Sequence, residues 1–559
     1  MSFAEARDAC FADFFRLYPV NATEAGNHDH DGEWPDLTDA GRRERLAFLE
    51  AARGELEAAE GARLTGDEAI DRRVLLTQID ALRFDVDELD ELSWNAMAYV
   101  YMFGTGLFGL LSREFGPLDV RLASVARRMR SLPAALEAAR ANLEAPGSRA
   151  VSRFHVEKAI ATMPGVADLC RSATGEAAKL KDAELREEVS QAAEVAAAAV
   201  EGFTAWLRDE LLPRADGDFR LGRELYTRKF RHALKSTVSP DELEERAASA
   251  YEEVRAEMLR LARQLWPDWI GDEPIPDDGN TTTRRVLDAI ATDHPAADEL
   301  LDFCREENRR IEAFIREREL IGLADDPLQI IWTPPFLRAF GGAMLIPPGP
   351  LDRGLDSYFA ITPMPEDWTA EQRESNLRED NRRMLRLLTI HEAVPGHYLQ
   401  LAYSNRCPSL VRGVFASGVF AEGWAVYVTQ VMMDVRYGAD DPALMLVHWK
   451  FFLRAVTNTL MDIRIHAGSM SEEEAMAMMV ESGFQERAEA SEKWNRARLS
   501  STQLCEYYLG SVEMTELESL ARARAESQGS DFAWRPFLES VLGQGTPPMP
   551  IIREVLFGG

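Results

Sequence analysis

Over roughly its first 325 residues the chain repeats Ala, Leu, Glu and Arg with apolar positions three and four apart, and this long helical period most limits the folds open to it. Stretches such as RRVLLTQIDALRFDVDEL and LASVARRMRSLPAALEAARANLEA predict helices that each bury one stripe against a neighbour. Residues 241 to 266 carry the same pattern behind SPDEL, which is suited to starting a helix. Loops are predicted where Gly, Pro, Asp and Asn gather, at Asn27 to Pro35, Pro213 to Phe219 and Pro267 to Thr283. No internal repeat is visible.

Between 328 and 363 the text changes to LQIIWTPPFLRAFGGAMLIPPGPLDRGLDSYFAITP, short apolar runs punctuated by Pro and Gly, which predicts short strands. A small sheet of this kind can offer a backbone edge to an extended peptide. Helical patterning resumes after 370, with breaks near Pro408, Gly438, Gly468 and Gly529, and a short closing helix. The expectation is a mainly α protein with an N-terminal helical region, 1–325, and a second region, 326–559, in which a small sheet is followed by helices. At 559 residues the chain exceeds what one ordinary core supports.

The 63 basic and 94 acidic side chains leave a net charge of −31, which repels phosphate backbones and anionic lipid surfaces and argues against nucleic acid or membrane partners. Only seven of the basic residues are Lys. The five cysteines show no C-x-x-C spacing, so no disulfide framework or thiolate metal site is expected. The opening MSFAEARDACFADFF lacks the basic and apolar segments of a secretory signal, and no window approaches the ~20 apolar residues of a membrane span. A soluble cytoplasmic protein is the expectation, with a homodimer left open.

The sharpest local feature is LLTIHEAVPGHYLQLAY, where His391 and Glu392 are adjacent and His397 follows a Pro395–Gly396 pair. Zinc hydrolases commonly use His-Glu-x-x-His on a helix, because imidazoles four apart share a face with the Glu beside them. Six residues on a straight helix would instead rotate the two rings ~120° apart, too far for one ion. Pro395 lacks an N–H and clashes with the carbonyl four residues back, so a bulge there can return both rings to one side. Equally, the helix can end at Val394 and a new one begin, leaving two ordinary histidines at a kink.

A catalytic zinc takes three protein ligands and keeps a position for water, so a further carboxylate or His is needed. Glu422, 25 residues after His397 in VFAEGWAVYVTQVMMDV, stands alone among Phe420, Ala421, Trp424 and Ala425, where an unpaired carboxylate would be costly. The alternative is a Glu favoured by the dipole near a helix start.

These residues resemble a known family, the bacterial domain-of-unknown-function family DUF885, whose members look like distant relatives of the Glu-zincin peptidases. Its His-Glu-Ala-x-Pro-Gly-His-His-x-Gln motif is similar to His391 through Gln400, with Tyr398 in place of the second His of the pair. Its Glu-Gly-Trp-Ala element is similar to Glu422 through Ala425, and NATEAGNHD, FRLGRELY, MDIRIHAG and QLCEYYLG extend the likeness over nearly the whole chain. This chain departs from the family at Thr429, where an acidic residue is common, and at Ser501–Thr502, where Pro-Gly is common.

The resemblance implies a large helical two-lobed fold with a deep cleft and a small β-sheet next to the zinc-binding helices. It also implies one Zn2+ per chain held by His391, His397 and Glu422, with Glu392 as general acid–base on metal-activated water. His466, Tyr507 and Tyr508 lie in family-like segments and are the candidates for oxyanion donors, Tyr507 first. Arg464, Arg496 or Arg498 could pair with a substrate carboxylate. His28 and His30 in NHDHDGEW read as a solvated polar loop, with a second metal as the alternative.

The expected activity is that of a metallopeptidase on short peptides, as a carboxypeptidase, dipeptidase or oligopeptidase. A zinc amidase on a non-peptide amide would need the same four residues. A non-catalytic helical binding or scaffold protein would hold no zinc.

Overall fold

The structure, a computed structural model, describes residues 2–59, 64, 66–145, 147, 149–334, 338 and 342–558. The chain forms two compact units, one of Met1–Leu221 with Pro348–Leu355 and Ser409–Val414, the other of Gly222–Pro347, Asp356–Pro408 and Phe415–Gly559. The boundary drawn from composition at residue 325 tracks the first strands. The boundary in contacts falls about a hundred residues earlier, because the helices after Gly222 pack with the C-terminal half.

The first unit is helical for the reason its period predicts. The helix Ala183–Trp206 buries Val189, Ala192, Ala193, Ala196, Ala197 and Val200 on one stripe, and the small Ala side chains let its neighbours Leu118–Glu144 and Arg153–Ala177 come close. Its start is set by Asp182, whose carboxylate accepts from the N–H groups of Glu184 and Leu185. The loop of His28 and His30 is not simply solvated. His28 is held between Asp31 at 2.9 Å and Asp352 at 3.0 Å and stacks on Phe115, and the fully buried Arg128 donates to the His30 carbonyl.

In the second unit the helix Pro240–Trp269 is capped by Ser239, which accepts from the Glu242 N–H. The loop expected from Pro267 is shorter than its composition suggests. The helix runs two residues past that proline, and the next, Gly279–Ile290, starts early because Asp278 accepts from the Thr281 N–H at 2.7 Å.

The three strands β1 (Leu328–Trp332), β2 (Ala343–Ile346) and β3 (Ser357–Ile361) pair in the order β1-β3-β2, β1 parallel and β2 antiparallel to β3. Residues 335–337 and 339–341 of the predicted strand region lie outside the described residues. Ile330, Phe359 and Ile361 form one core with Leu300, Leu301 and Cys304 of the helix Leu300–Arg318, and with Leu385 and Ala393 of the segment that carries the first histidine. The sheet is thereby fixed to that segment, with β2 at its edge. Among the described residues no helix is long and apolar enough to cross a membrane.

Candidate metal centre

The helix Arg382–Glu392 begins where the Asn381 side chain accepts from the N–H groups of Arg383 and Met384, and it buries Met384, Leu385, Leu387 and Ile390. It stops at Glu392 and a new helix, His397–Arg406, begins at the second histidine. The two rings therefore meet across a break, not across the bulge in one helix that the spacing admits. Four residues, Ala393–Gly396, make the link, with Val394–Pro395 in cis. Gly396 is there for close approach: a Cβ at this position would lie 1.9 Å from the His391 carbonyl oxygen and 2.4 Å from that of Ile390. With the second helix folded this tightly onto the first, the His391 and His397 rings stand edge to face, 4.8 Å between centroids.

Glu422 comes from the helix Gly418–Asp434, capped by Ser417. Two contacts aim it. The Trp424 indole donates to the Pro395 carbonyl at 2.9 Å, bonding this helix to the link between the histidines. On its other side, Gly423 crosses Gly510 of the helix Glu506–Ser527 so closely that a Cβ on Gly423 would lie 2.3 Å from the Gly510 backbone. The Glu422 carboxylate ends 3.4 Å from His397 Nε2 and 4.0 Å from His391 Nε2, and one ligand atom from each of the three residues lies within 4.8 Å of the others.

Ligand atoms on a tetrahedral zinc at ~2.0–2.1 Å stand ~3.3 Å apart, so this donor set of two imidazoles and a carboxylate fits zinc after a small contraction. The three groups set one another's charge, and zinc would take the place of the proton that His397 shares with Glu422. Burial, then the nearby His397, push His391 down to about 3, leaving it a neutral donor. Burial works against a charged His397, but its hydrogen bond to Glu422 and that carboxylate's charge prevail and raise it. Burial would raise Glu422, yet the same bond, with the charges of His397, His391 and Arg496, holds it below the usual range.

Glu392 is next to His391 in sequence but is not one of the three converging residues. Only 8% exposed, it is pushed up to about 7, mainly by burial and by Glu422, while His397 and the Leu345 amide of edge strand β2 pull the other way. Phe451 packs on His391, edge to face at 5.5 Å.

A second group faces the triad from the C-terminal helices. Thr502, at φ +72°, donates its N–H to Asp462, which also accepts from the Tyr226 hydroxyl, and this anchored turn leads into Gln503 and Tyr507. Arg496, on the helix Arg487–Leu499, donates through Nη2 to the Tyr507 hydroxyl at 3.1 Å and to Gln503 Oε1 at 2.9 Å. Burial and the Glu422 charge raise the Tyr507 phenol, so it stays protonated, and the same two causes push Glu506 up to about 8.

Other expected site residues point elsewhere. His466 Nε2 lies 2.8 Å and 2.9 Å from the carbonyls of Ala497 and Ser500, so that nitrogen is engaged by backbone and the ring is an anchor. Tyr508, one residue and ~100° of helix beyond Tyr507, donates to the Arg246 carbonyl and lines a cavity of about 860 Å³ with Tyr427, Trp449 and Phe452. None of the triad lines that cavity. Arg464 is paired with Glu244, and Arg498 sits over the Trp494 ring. Sequence reasoning missed Leu345, Glu506 and Lys493. Lys493 had a signal, since Glu489, Lys493 and Arg496 share one helical face at i, i+4 and i+7.

Residues 19–556 match the family described as bacterial protein of unknown function, DUF885. A solved structure from Shewanella oneidensis, titled as that of a putative lipoprotein of unknown function, is 31% identical, covers 100% of both chains and superposes with a TM-score of 0.85. A second, titled as a putative lipoprotein from Colwellia psychrerythraea, is 15% identical over 99% of each chain with a TM-score of 0.73, and shares the fold. No curated protein matches the chain.

Proposed function

The chain belongs to the DUF885 family, whose description carries no activity, and from the chemistry of its site we propose that it is a zinc-dependent hydrolase, a metallopeptidase of Glu-zincin type acting on short peptides. The observation that carries this reading is the convergence of His391, His397 and Glu422 with Glu392 beside them and outside the set. The three residues would hold one zinc ion, which when bound lowers the pKa of a water toward ~7 and polarises the scissile carbonyl.

Glu392 has the placement of a general base. Buried and pushed up to about 7, it can take the proton of the attacking water near neutral pH and return it to the leaving amine. Tyr507 has the placement of an oxyanion donor: Arg496 and Gln503 both donate onto its oxygen, which leaves the phenolic proton for the substrate carbonyl. The edge of β2, whose Leu345 amide lies at Glu392, is suited to align an extended peptide beside that base.

The test is elemental analysis of protein purified without chelators, with His391→Ala and Glu422→Ala beside the wild type, followed by a peptide-library digest with Glu392→Gln as the inactive control. Near-stoichiometric zinc that is lost in both ligand variants, with cleavage that is lost in Glu392→Gln, is the expected result. Wild type that takes up no zinc when it is offered overturns the reading.

A further inference from the structure

Two of the basic side chains near the triad carry no ion-pair partner among the described residues. Arg454 is paired with Glu379 and Glu489, and Lys450 with Glu379. Lys493 and Arg496 differ from these. They sit three apart on the face of the helix Arg487–Leu499 that also carries Glu489, and Glu489 is already engaged by Arg454. Among the described residues Lys493 makes no hydrogen bond or ion pair, and Arg496 bonds only the neutral Tyr507 and Gln503 through Nη2. Lys493 is one of only seven lysines in a chain of net charge −31.

Both cations can be reached. Lys493 is partly exposed and Arg496 exposed, while the charges of both act on Glu422. Burial, then the charges of Arg454 and Arg496, hold the Lys493 amine well below its ordinary range. An arriving carboxylate would favour the charged form of that amine, and the Nη1 hydrogens of Arg496, which Tyr507 and Gln503 do not engage, are left to meet it.

Resting on the peptidase reading, we propose that Lys493 and Arg496 form a clamp for the free C-terminal carboxylate of the substrate, so that the protein removes residues from the C-terminal end of short peptides. Arg496 is the shared element: one part of its guanidinium holds Tyr507 against the carbonyl to be cleaved, and the other binds the terminus.

The test uses three versions of one peptide with neutral side chains: the free acid, its C-terminal amide, and the amide with Glu as its last residue. Hydrolysis is followed with zinc-loaded wild type and Lys493→Met. Binding of the same peptides is followed by calorimetry on Glu392→Gln protein with and without Lys493→Met. The clamp predicts a preference for the free acid over both amides of roughly tenfold or more in kcat/KM and in binding, expressed mainly in KM and collapsing toward one with Lys493→Met. Equal handling of acid and neutral amide overturns it, as does a preference that survives Lys493→Met, or a Glu-ended amide that performs like the free acid. If no peptide is cleaved but the free acid still binds better and loses that advantage in Lys493→Met, the clamp stands and the hydrolase reading falls.

Discussion

The Trp424 indole donates to the Pro395 carbonyl at 2.9 Å, with both groups buried, so the helix that carries Glu422 is bonded to the turn that brings His391 and His397 together. One hydrogen bond thus links the two halves of the donor set, which lie 25 residues apart in the chain. Gly423, beside Glu422, provides the opposite constraint by letting that helix lie against Gly510.

Trp424→Phe should leave the fold intact and the Pro395 carbonyl without its donor. A buried acceptor left unmade costs roughly 1–3 kcal/mol, and metal affinity should fall by ~10–100-fold, as for loss of a residue that orients ligands from behind. Urea unfolding and competitive zinc titration measure the two effects. Unchanged zinc affinity would show that Glu422 is positioned without this bond.

Gly396→Ala should abolish zinc uptake, since the added methyl meets the His391 and Ile390 carbonyls well inside contact distance and the second helix must move away. Gly175→Ala is the matched control. It lies in the helix Arg153–Ala177 with no atom within 4 Å of its would-be Cβ and should gain roughly 0.5–1 kcal/mol. Zinc stoichiometry and thermal midpoints of the two variants separate local clash from a general intolerance of substitution.

Glu392→Gln should retain zinc while losing turnover by ~10²–10⁴-fold, because the base is removed and the ligands are not. Elemental analysis beside single-turnover assays checks this. Loss of zinc together with activity would make Glu392 a ligand and remove it as the base.

His28 provides a pH test remote from the triad. Burial works against its charged form, but the hydrogen bonds to Asp31 and Asp352 prevail and raise it to about 9. With the folded value above the unfolded one, its contribution to stability is fully present below pH ~6.5 and is lost as pH rises through about 9. The gap in unfolding midpoint between wild type and His28→Gln should therefore be widest near pH 6 and narrow above pH 9. A gap that stays constant from pH 6 to 10 would mean that His28 acts by packing on Phe115 and not by charge.

Much of the architecture could be read from short-range chemistry. The period of three and four placed the helices, Ser239 marked the start of one, and the Pro- and Gly-punctuated apolar runs marked the strands. Local rules failed where a cap outweighed composition, as at Asp278, and where a proline was tolerated in a last turn, as at Pro267. Histidine identity also misled. His466 sits in a family-like segment, yet its Nε2 is engaged by the carbonyls of Ala497 and Ser500, an arrangement that depends on a helix thirty residues on.

The sequence by itself determined which groups are available to the site: two imidazoles around a Pro-Gly pair, and a carboxylate isolated in an apolar helix. Their types and neighbours are local properties. Only the tertiary structure decided that they converge, that Tyr507 faces Glu422 while Tyr508 turns to a cavity, and that Lys493 has no ion-pair partner among the described residues beside Arg496. Those outcomes follow from how closely backbones approach, Gly396 against His391 and Gly423 against Gly510, and from which charges are already paired. Such distances join residues far apart in the chain, and no period or spacing along it encodes them.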